Sequence, residues 1–254
     1  MCGRAILVSS VEDIARMFEI PPLSVAHLAG PPRFNVAPGQ GLVVVRRAPS
    51  STELAGRAIT GPAGGGRELA RLRWGLVPWW SKDTKIASRC IQARVETIAR
   101  TPAFRDAFKS HRCLVIVDGF YEWSGTGKSR QPHYVHLAQT GPFAIAAVWD
   151  SWQSPDGGIL ETCAVVTTAA RGPVARLHDR MPLVLDAEAR ERWLTAPPEA
   201  AGSIATPGES EGFVVVPVST WVNDVKHEGP RCLEPAAPGH AEPEAGRQTA
   251  FRFG

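Results

Sequence analysis

The chain has 254 residues, a hydrophobic fraction of 44% and a net charge of +3, so it can bury a large core, and its charge alone does not indicate a nucleic-acid partner. Its five cysteines form no Cys-x-x-Cys pair and no cluster with histidine at zinc spacing, which predicts free thiols. The first residues lack the pattern of a signal peptide, and no apolar run approaches the roughly 18 residues of a membrane span. We therefore expect a cytoplasmic protein without a membrane partner.

The first half of the chain predicts few regular elements. The stretch 10–20 is typical of a short helix, because Ser10 can cap its start and two prolines follow its end. Beyond it the sequence predicts a loop at 33–40, a strand of β-branched residues at 41–47 and a glycine-rich hairpin or loose insertion near 61–66. The segment 73–80 is aromatic, and its Pro78 argues against a central strand there. A helix is predicted at 101–111.

The second half of the chain is rich in strand patterns. The stretch 113–123 is predicted to begin as a buried strand. Further strands are predicted at 132–138, 143–152, 161–170 and 213–219, with one helix at 186–195. Because strands outnumber helices and no linker divides them, we predict one α+β domain over residues 1–235, with a curved, mainly antiparallel, barrel-like sheet flanked by short helices. The segment 236–254 is rich in proline, glycine and alanine, which predicts a disordered tail.

Cys2 offers chemistry that no internal cysteine has. If Met1 is removed, Cys2 carries a free α-amine beside its thiol, and an α-amine with a pKa near 7.7–8.0 is partly neutral at pH 7. With an aldehyde, the amine would form a Schiff base and the thiolate would close on the imine carbon to give a thiazolidine. The ordinary alternative is that a small residue at position 2 merely permits removal of methionine.

Two residues could supply the acid–base catalysis that this reaction needs. Glu122 follows a buried strand between Tyr121 and Trp123, and partial desolvation there would raise the pKa of its carboxyl group. His178 lies in a loop beside Asp179, and histidine titrates nearest neutral pH. Read singly, each also fits an ordinary surface position.

The segment 91–97 alternates polar residues. If it is extended, Gln92, Arg94 and Glu96 point to one face of a strand. Arg94 could then clamp a phosphate with two donors, and the Gln92 amide could bind a carbonyl or hydroxyl group. A solvent-facing polar surface would show the same pattern.

Other residues suggest a surface for single-stranded nucleic acid. Arg4 is two residues from Cys2, and tryptophans commonly stack on unpaired bases. Core packing explains at least one of the tryptophans equally well. The candidates for this surface are Arg4, Asn35, Pro38, Trp74, Trp79 and Trp80.

Together these stretches resemble the SRAP family, the SOS response-associated peptidases. The resemblance rests on "MCGR", "RFNVAP", "WGLVP", "ARVET", "DGFYEW", "HDRMP" and "VSTWVNDVKHEGPRCLEP", which run in family order to about residue 235. It implies a sensor of abasic sites in single-stranded DNA, in which the amine and thiol of Cys2 join the abasic aldehyde as a thiazolidine DNA–protein crosslink that shields the lesion. It also implies autocatalytic removal of Met1.

By this resemblance the family's catalytic glutamate falls on Glu122, its histidine on His178 and its phosphate-contacting arginine on Arg94. The histidine is further implicated in Schiff-base steps, strand cleavage and reversal of the crosslink. Gln92 departs from the family, which usually has asparagine there, and its extra methylene could shift the crosslink geometry. No metal or cofactor is implied, and a monomer at the nucleoid is expected.

Two other classes of function remain open from the residues alone. A cysteine peptidase would use Cys2 as nucleophile and His178 as base, and it would cleave proteins without DNA. A non-catalytic module would bind single-stranded DNA with Cys2 incidental to its function.

Overall fold

The computed structural model describes residues 3–48, 66–125, 127, 130–139, 141–204 and 212–237. Three features predicted from the sequence lie outside these ranges in whole or in large part: Cys2, the glycine-rich segment near 61–66 and the C-terminal tail. In the described part of the chain, no helix has both the length and the apolar character needed to cross a bilayer.

Short α-helices flank the strands, and two of them begin at capping residues. The described α-helices are α1 (Val11–Met17), α2 (Arg105–Ser110), α3 (Ala187–Thr195) and α4 (Pro198–Ile204). At the start of α1 the Ser10 hydroxyl accepts a hydrogen bond from the Asp13 N–H at 3.1 Å. At the start of α3 the Asp186 carboxylate accepts one from the Ala189 N–H at 2.8 Å, so local sequence explains both starts.

The strands account for most of the described core. They are β1 (Ala5–Leu7), β2 (Arg33–Val36), β3 (Gly41–Arg47), β4 (Arg67–Trp74), β5 (Gln92–Arg94), β6 (Arg112–Val117), β7 (Gly119–Ser124), β8 (Gln131–Leu137), β9 (Phe143–Gln153), β10 (Ile159–Ala169), β11 (Arg180–Pro182), β12 (Val184–Leu185) and β13 (Phe213–Pro217).

Within the described residues the strands form two sheets, of which the larger closes on itself. β4 pairs with β3, β3 with β6, β6 with β9, β9 with β10, and β10 returns to β4. The pairings of β10 with β4 and β5 are parallel, and the other pairings are antiparallel. β5 and β11 both pair with the C-terminal half of β10, so they meet at one end of the barrel.

The second sheet is antiparallel throughout, in the order β13-β8-β7-β1-β2. β7 lies at its centre between β1 and β8, so the strand nearest the N-terminus runs beside the "GFYEW" segment. The chain passes from the barrel to this sheet at Asp118, between β6 and β7.

β3 shows why the barrel strands are almost continuously apolar. Val43 and Val45 pack in a cluster that also contains helix residues such as Ile14, whereas Val44 packs in a second cluster with Leu72. Because alternate side chains point to opposite faces, a strand buried on both faces needs apolar residues at every position. This architecture confirms the prediction of a single-domain α+β fold with a curved, mainly antiparallel, barrel-like sheet and short helices.

Two local predictions were wrong. Residues 33–40, expected to be a loop, begin with the edge strand β2, in which Val36 pairs with Ala5. Glu122, expected just after the end of a buried strand, instead lies within a second strand, β7, because the chain changes sheets at Asp118. The Asp118 carboxylate accepts hydrogen bonds from the backbone N–H groups of Val8 and Ser9 at 2.6 and 2.8 Å, which stabilises the break.

Candidate functional site

Glu122 lies in the middle of β7 and is almost completely buried, with 1% of its surface exposed. The adjacent Tyr121 is also buried, and its hydroxyl donates to the Phe34 carbonyl at 2.9 Å. Opposite Glu122 on β8 stands His133, so the two side chains share one face of the sheet. A carboxyl group in these surroundings is shielded from bulk water.

The N-terminal segment runs beside Glu122. β1 pairs Ala5 with Phe120, and the Tyr121 N–H donates to the Arg4 carbonyl at 3.0 Å. Continued in the same antiparallel register, this pairing brings Gly3 opposite Glu122. Gly3 is the first described residue, and Cys2 precedes it outside the described ranges.

His178 follows the 3₁₀ helix Gly172–Arg176 and precedes β11, and 21% of its side chain is exposed. Its Nδ1 accepts a hydrogen bond from the Arg180 N–H at 2.9 Å and lies 2.6 Å from a carboxylate oxygen of Asp179. Burial lowers the pKa of His178, while the carboxylates of Glu122 and Asp179 oppose that shift. The structure therefore brings Glu122 and His178 within electrostatic reach of each other.

β5 carries the polar residues expected to lie on one strand face. Gln92 is partly buried and pairs with Val165 of β10, and Arg94 is exposed and pairs with Thr167. The strand ends at Arg94, so Glu96 lies in the following turn rather than on the same strand face. There its carboxylate binds the guanidinium of Arg180 at 2.6 and 2.9 Å.

Arg4 and Asn35 bind the protein's own backbone. The Arg4 guanidinium donates to the Asn35 side chain at 2.7 Å and to the Val222 carbonyl at 2.8 Å. The Asn35 amide donates to the carbonyls of Asp224 and His227 at 2.9 and 2.8 Å. Asn35 is fully buried, so it has no exposed face for DNA and instead fixes the segment 222–227.

The predicted aromatic surface is divided between core and solvent. Trp74 is 1% exposed, and its indole N–H donates to the Ile91 carbonyl at 2.9 Å, so it is a core residue without a face for DNA. Trp79 is 55% exposed, and its backbone N–H is held by the buried Asp150 carboxylate at 2.9 Å. Pro38 is exposed in the turn after β2.

Sequence reasoning missed Arg130 and His133. The Arg130 guanidinium lies 5.8 Å from the centroid of the Trp123 ring, and its charge also lowers the pKa of His178. His133 is buried, and burial lowers the pKa of its ring. Both residues lie near the start of β8, and the pairing of β8 with β7 brings His133 opposite Glu122 and Arg130 over Trp123, so local sequence gave no signal.

No group of three or more acidic, histidine or cysteine side chains in the described ranges is arranged to hold a metal ion. The polar side chains of Glu122 and of His133 opposite it instead suit proton transfer and hydrogen bonding.

The family model of SRAP, described as SOS response associated peptidase (SRAP), matches residues 1–225. The chain belongs to the SRAP family. Among its SRAP relatives, "Abasic site processing protein YoqW" of Bacillus subtilis (strain 168) is 33% identical over 241 residues, covering 92% of this chain and 99% of that protein. "Abasic site processing protein HMCES" of Gallus gallus is 33% identical over 196 residues, covering 66% of this chain and 58% of that protein.

The fold is also found among solved structures. A crystal structure of a protein from Bacteroides thetaiotaomicron superimposes with a TM-score of 0.76 at 20% sequence identity, covering 93% of this chain and 100% of that one. At this identity the similarity establishes a shared fold. The closed barrel and second sheet therefore form a fold that a solved structure also has.

Proposed function

We propose that this SRAP protein senses abasic sites in single-stranded DNA and crosslinks to them through Cys2. The observation that carries the proposal is that the charge of Glu122, on the strand paired with β1, acts on the ring of His178. A carboxylate and an imidazole within electrostatic reach are the proton carriers that imine chemistry needs. The relatives YoqW and HMCES are both named abasic site processing proteins, which supports the same lesion as target.

The chemistry begins with removal of Met1, which we propose to be autocatalytic and which frees the α-amine of Cys2. The amine nitrogen adds to C1′ of the ring-opened deoxyribose, and water leaves to give an imine. The thiolate then adds to the imine carbon, and the nitrogen takes up a proton to complete the thiazolidine. Both nucleophiles belong to one residue, so the second addition is intramolecular and has a high effective molarity.

The chain's own residues divide the proton transfers. Glu122, shielded from water, acts as the acid–base group next to the Cys2 amine, because the β1–β7 register brings Gly3 opposite it. His178 has a pKa lowered by burial, so it is largely neutral near pH 7 and can accept a proton as the sugar ring opens. Reversal of the link, and any strand cleavage, would use the same histidine.

The remaining predicted residues fall into direct and supporting roles. Arg94 is exposed on β5 and would bind a phosphate, and Gln92 beside it would hydrogen-bond to the opened sugar. Trp79 and Pro38 offer exposed surface for unstacked bases. Arg4 and the buried Asn35 have a supporting role, because both donate hydrogen bonds to backbone carbonyls of the segment 222–227.

The decisive experiment uses a single strand with one abasic site, made by uracil excision, resolved on a denaturing gel. We expect the mature protein to give a heat-resistant shifted band that Cys2→Ala abolishes and that an extra residue before Cys2 also abolishes. Glu122→Gln and His178→Ala should retain binding but slow formation of the band. A stable band with Cys2→Ala would contradict the proposal.

The same assay separates the other two classes of function. Turnover of a peptide substrate without DNA would indicate a cysteine peptidase. Protection of abasic DNA by Cys2→Ala as complete as that by the native chain would indicate a non-catalytic binding module. For phosphate binding by Arg94, affinity for an undamaged strand is measured against salt, and Arg94→Gln should reduce the slope of log K by about 0.7.

A further inference from the structure

The position of the His178 ring depends on the residue two places further along the chain. The Arg180 N–H donates to Nδ1 of His178 at 2.9 Å, and the Ala170 N–H donates to the Asp179 carbonyl at 2.9 Å. In the register of β11, Arg180 pairs with Ala169. A ring nitrogen that accepts a hydrogen bond carries no proton, so the neutral ring has its proton on Nε2.

An ion pair fixes the start of β11. The Arg180 guanidinium donates to both carboxylate oxygens of Glu96, at 2.6 and 2.9 Å, and also to the Thr167 carbonyl at 2.7 Å. The Arg180 side chain is 11% exposed. This two-point contact restrains both the distance and the plane of the guanidinium.

Glu96 connects this anchor to the phosphate-binding side of the site. It follows β5, and the N–H of the intervening Val95 donates to the same Thr167 carbonyl at 3.0 Å. The turn that carries Glu96 and the strand that begins at Arg180 therefore rest on one residue of β10. A shift of either would move the N–H group that holds the His178 ring.

Besides this hydrogen bond, the N-terminal ammonium group lowers the pKa of His178, and three charged side chains of the described residues also act on the ring. The Asp179 carboxylate oxygen 2.6 Å from Nδ1 favours a proton on that nitrogen, in opposition to the Arg180 N–H. Glu122 favours the charged ring, and Arg130 disfavours it. Asp179 is largely exposed, so its carboxylate can turn to water while the Arg180 N–H stays fixed.

We propose that Glu96 is a positioning residue for His178: through Arg180 it holds the ring as the Nε2-protonated tautomer. Without Glu96, the Arg180 N–H is released and Asp179 captures a proton on Nδ1, which leaves Nε2 as the bare nitrogen. The use of this tautomer at the abasic site rests on the proposed function.

The first test reads the tautomer directly by ¹⁵N NMR of the histidine rings in the full chain near neutral pH. We expect native His178 to show a protonated Nε2, and Glu96→Gln to show a mixture with protonated Nδ1. Adding Asp179→Asn to Glu96→Gln should restore the native pattern. The matched control is Glu191→Gln, which removes the exposed ion pair of Arg67 with Glu191 and should leave His178 unchanged.

The second test separates positioning from DNA contact. Glu96→Gln should lower the rate of crosslink formation about 10- to 100-fold, in the range produced by a misplaced catalytic group. Affinity for an undamaged single strand should change by less than about twofold, because Arg94 still supplies the phosphate contact. Equal losses of affinity and rate would instead place the ion pair in DNA binding and overturn the proposal.

Failure of this inference about Glu96 can be distinguished from failure of the proposed function. If the native chain forms no crosslink, the NMR comparison still decides whether Glu96 controls the tautomer. An unchanged His178 spectrum in a folded Glu96→Gln protein overturns the inference even if crosslinking is normal. Should Glu96→Gln not fold, Glu96→Asp, which shortens the same contact, must shift the spectrum in the same direction, and an unchanged spectrum there overturns it too.

Discussion

Trp74 and Trp79 belong to one aromatic segment, yet the structure gives their side chains opposite surroundings. Trp74 is packed among the buried residues of the barrel, and its indole N–H bonds to a backbone carbonyl. Trp79 exposes about half of its surface, although its backbone is fixed by Asp150. A rigid backbone beneath an exposed indole lowers the entropic cost of stacking on a base.

This contrast predicts that truncating Trp74 lowers stability, whereas truncating Trp79 weakens binding to DNA. Trp74→Ala should lower the free energy of unfolding by about 3–5 kcal/mol, because it leaves a cavity in the core. Trp79→Ala should change stability by less than about 0.5 kcal/mol and weaken binding to an undamaged single strand by about 1–3 kcal/mol. Urea unfolding and fluorescence anisotropy measure the two quantities. Unchanged affinity in Trp79→Ala would remove it from the DNA-binding surface.

At the scale of elements, the strand β7 decides where Glu122 stands. The chain leaves the barrel at Asp118 and enters the second sheet at Gly119. A β-carbon at position 119 would lie 2.2 Å from the Tyr134 ring and 2.8 Å from the Val135 carbonyl oxygen. Because backbone and a packed ring occupy that space, only glycine allows β7 and β8 to pair so closely.

Gly119→Ala therefore tests the register of β7. We expect a loss of about 2–3 kcal/mol in the free energy of unfolding, from overpacking against β8. Crosslink formation should also slow, since the strand that carries Glu122 must shift. Gly66→Ala is the matched control, because a β-carbon there meets nothing within 4 Å and stability should stay within about 0.5 kcal/mol. Equal stability of the two variants would contradict the close packing of β7 on β8.

Several elements were predictable from local sequence. The cap Ser10 correctly marked the start of α1, the predicted helix 186–195 matches α3, and the β-branched run 41–47 matches β3. The strand at 33–36 was missed because its pairing partner is far away in the chain and its residues lack a strand pattern. Distant pairing, rather than local preference, decided that element.

At the scale of the whole molecule, burial of histidines makes stability depend on pH. The pKa values of His133 and His178 are both lowered by burial, so each binds a proton less readily in the folded than in the unfolded chain. The unfolded state then holds more protons as the pH falls below about 6.5, and stability declines in that direction. Glu96, whose pKa is lowered by the hydrogen bond from Arg180, adds a second decline at lower pH.

We therefore expect the free energy of unfolding to fall as the pH is lowered from 7.5 to 5.5. In His133→Gln the fall should be smaller, because the variant lacks one of the two histidines whose pKa is lowered by burial. Urea titrations at both pH values measure the difference, and His27→Gln, a change at an exposed histidine, serves as control. An identical pH dependence in His133→Gln would mean that protonation of His133 is not coupled to unfolding.

The amino-acid order alone allowed us to predict the α+β class, the capped helix α1, the buried strands and the residues that resemble the SRAP motifs. These depend on local periodicity and on residue chemistry. The three-dimensional fold was needed to show that Trp74 and Asn35 are internal, that His133 stands opposite Glu122 and Arg130 over Trp123, and that Glu96 holds Arg180. Those facts follow from strand pairings between distant segments, and local preference does not encode which segments pair.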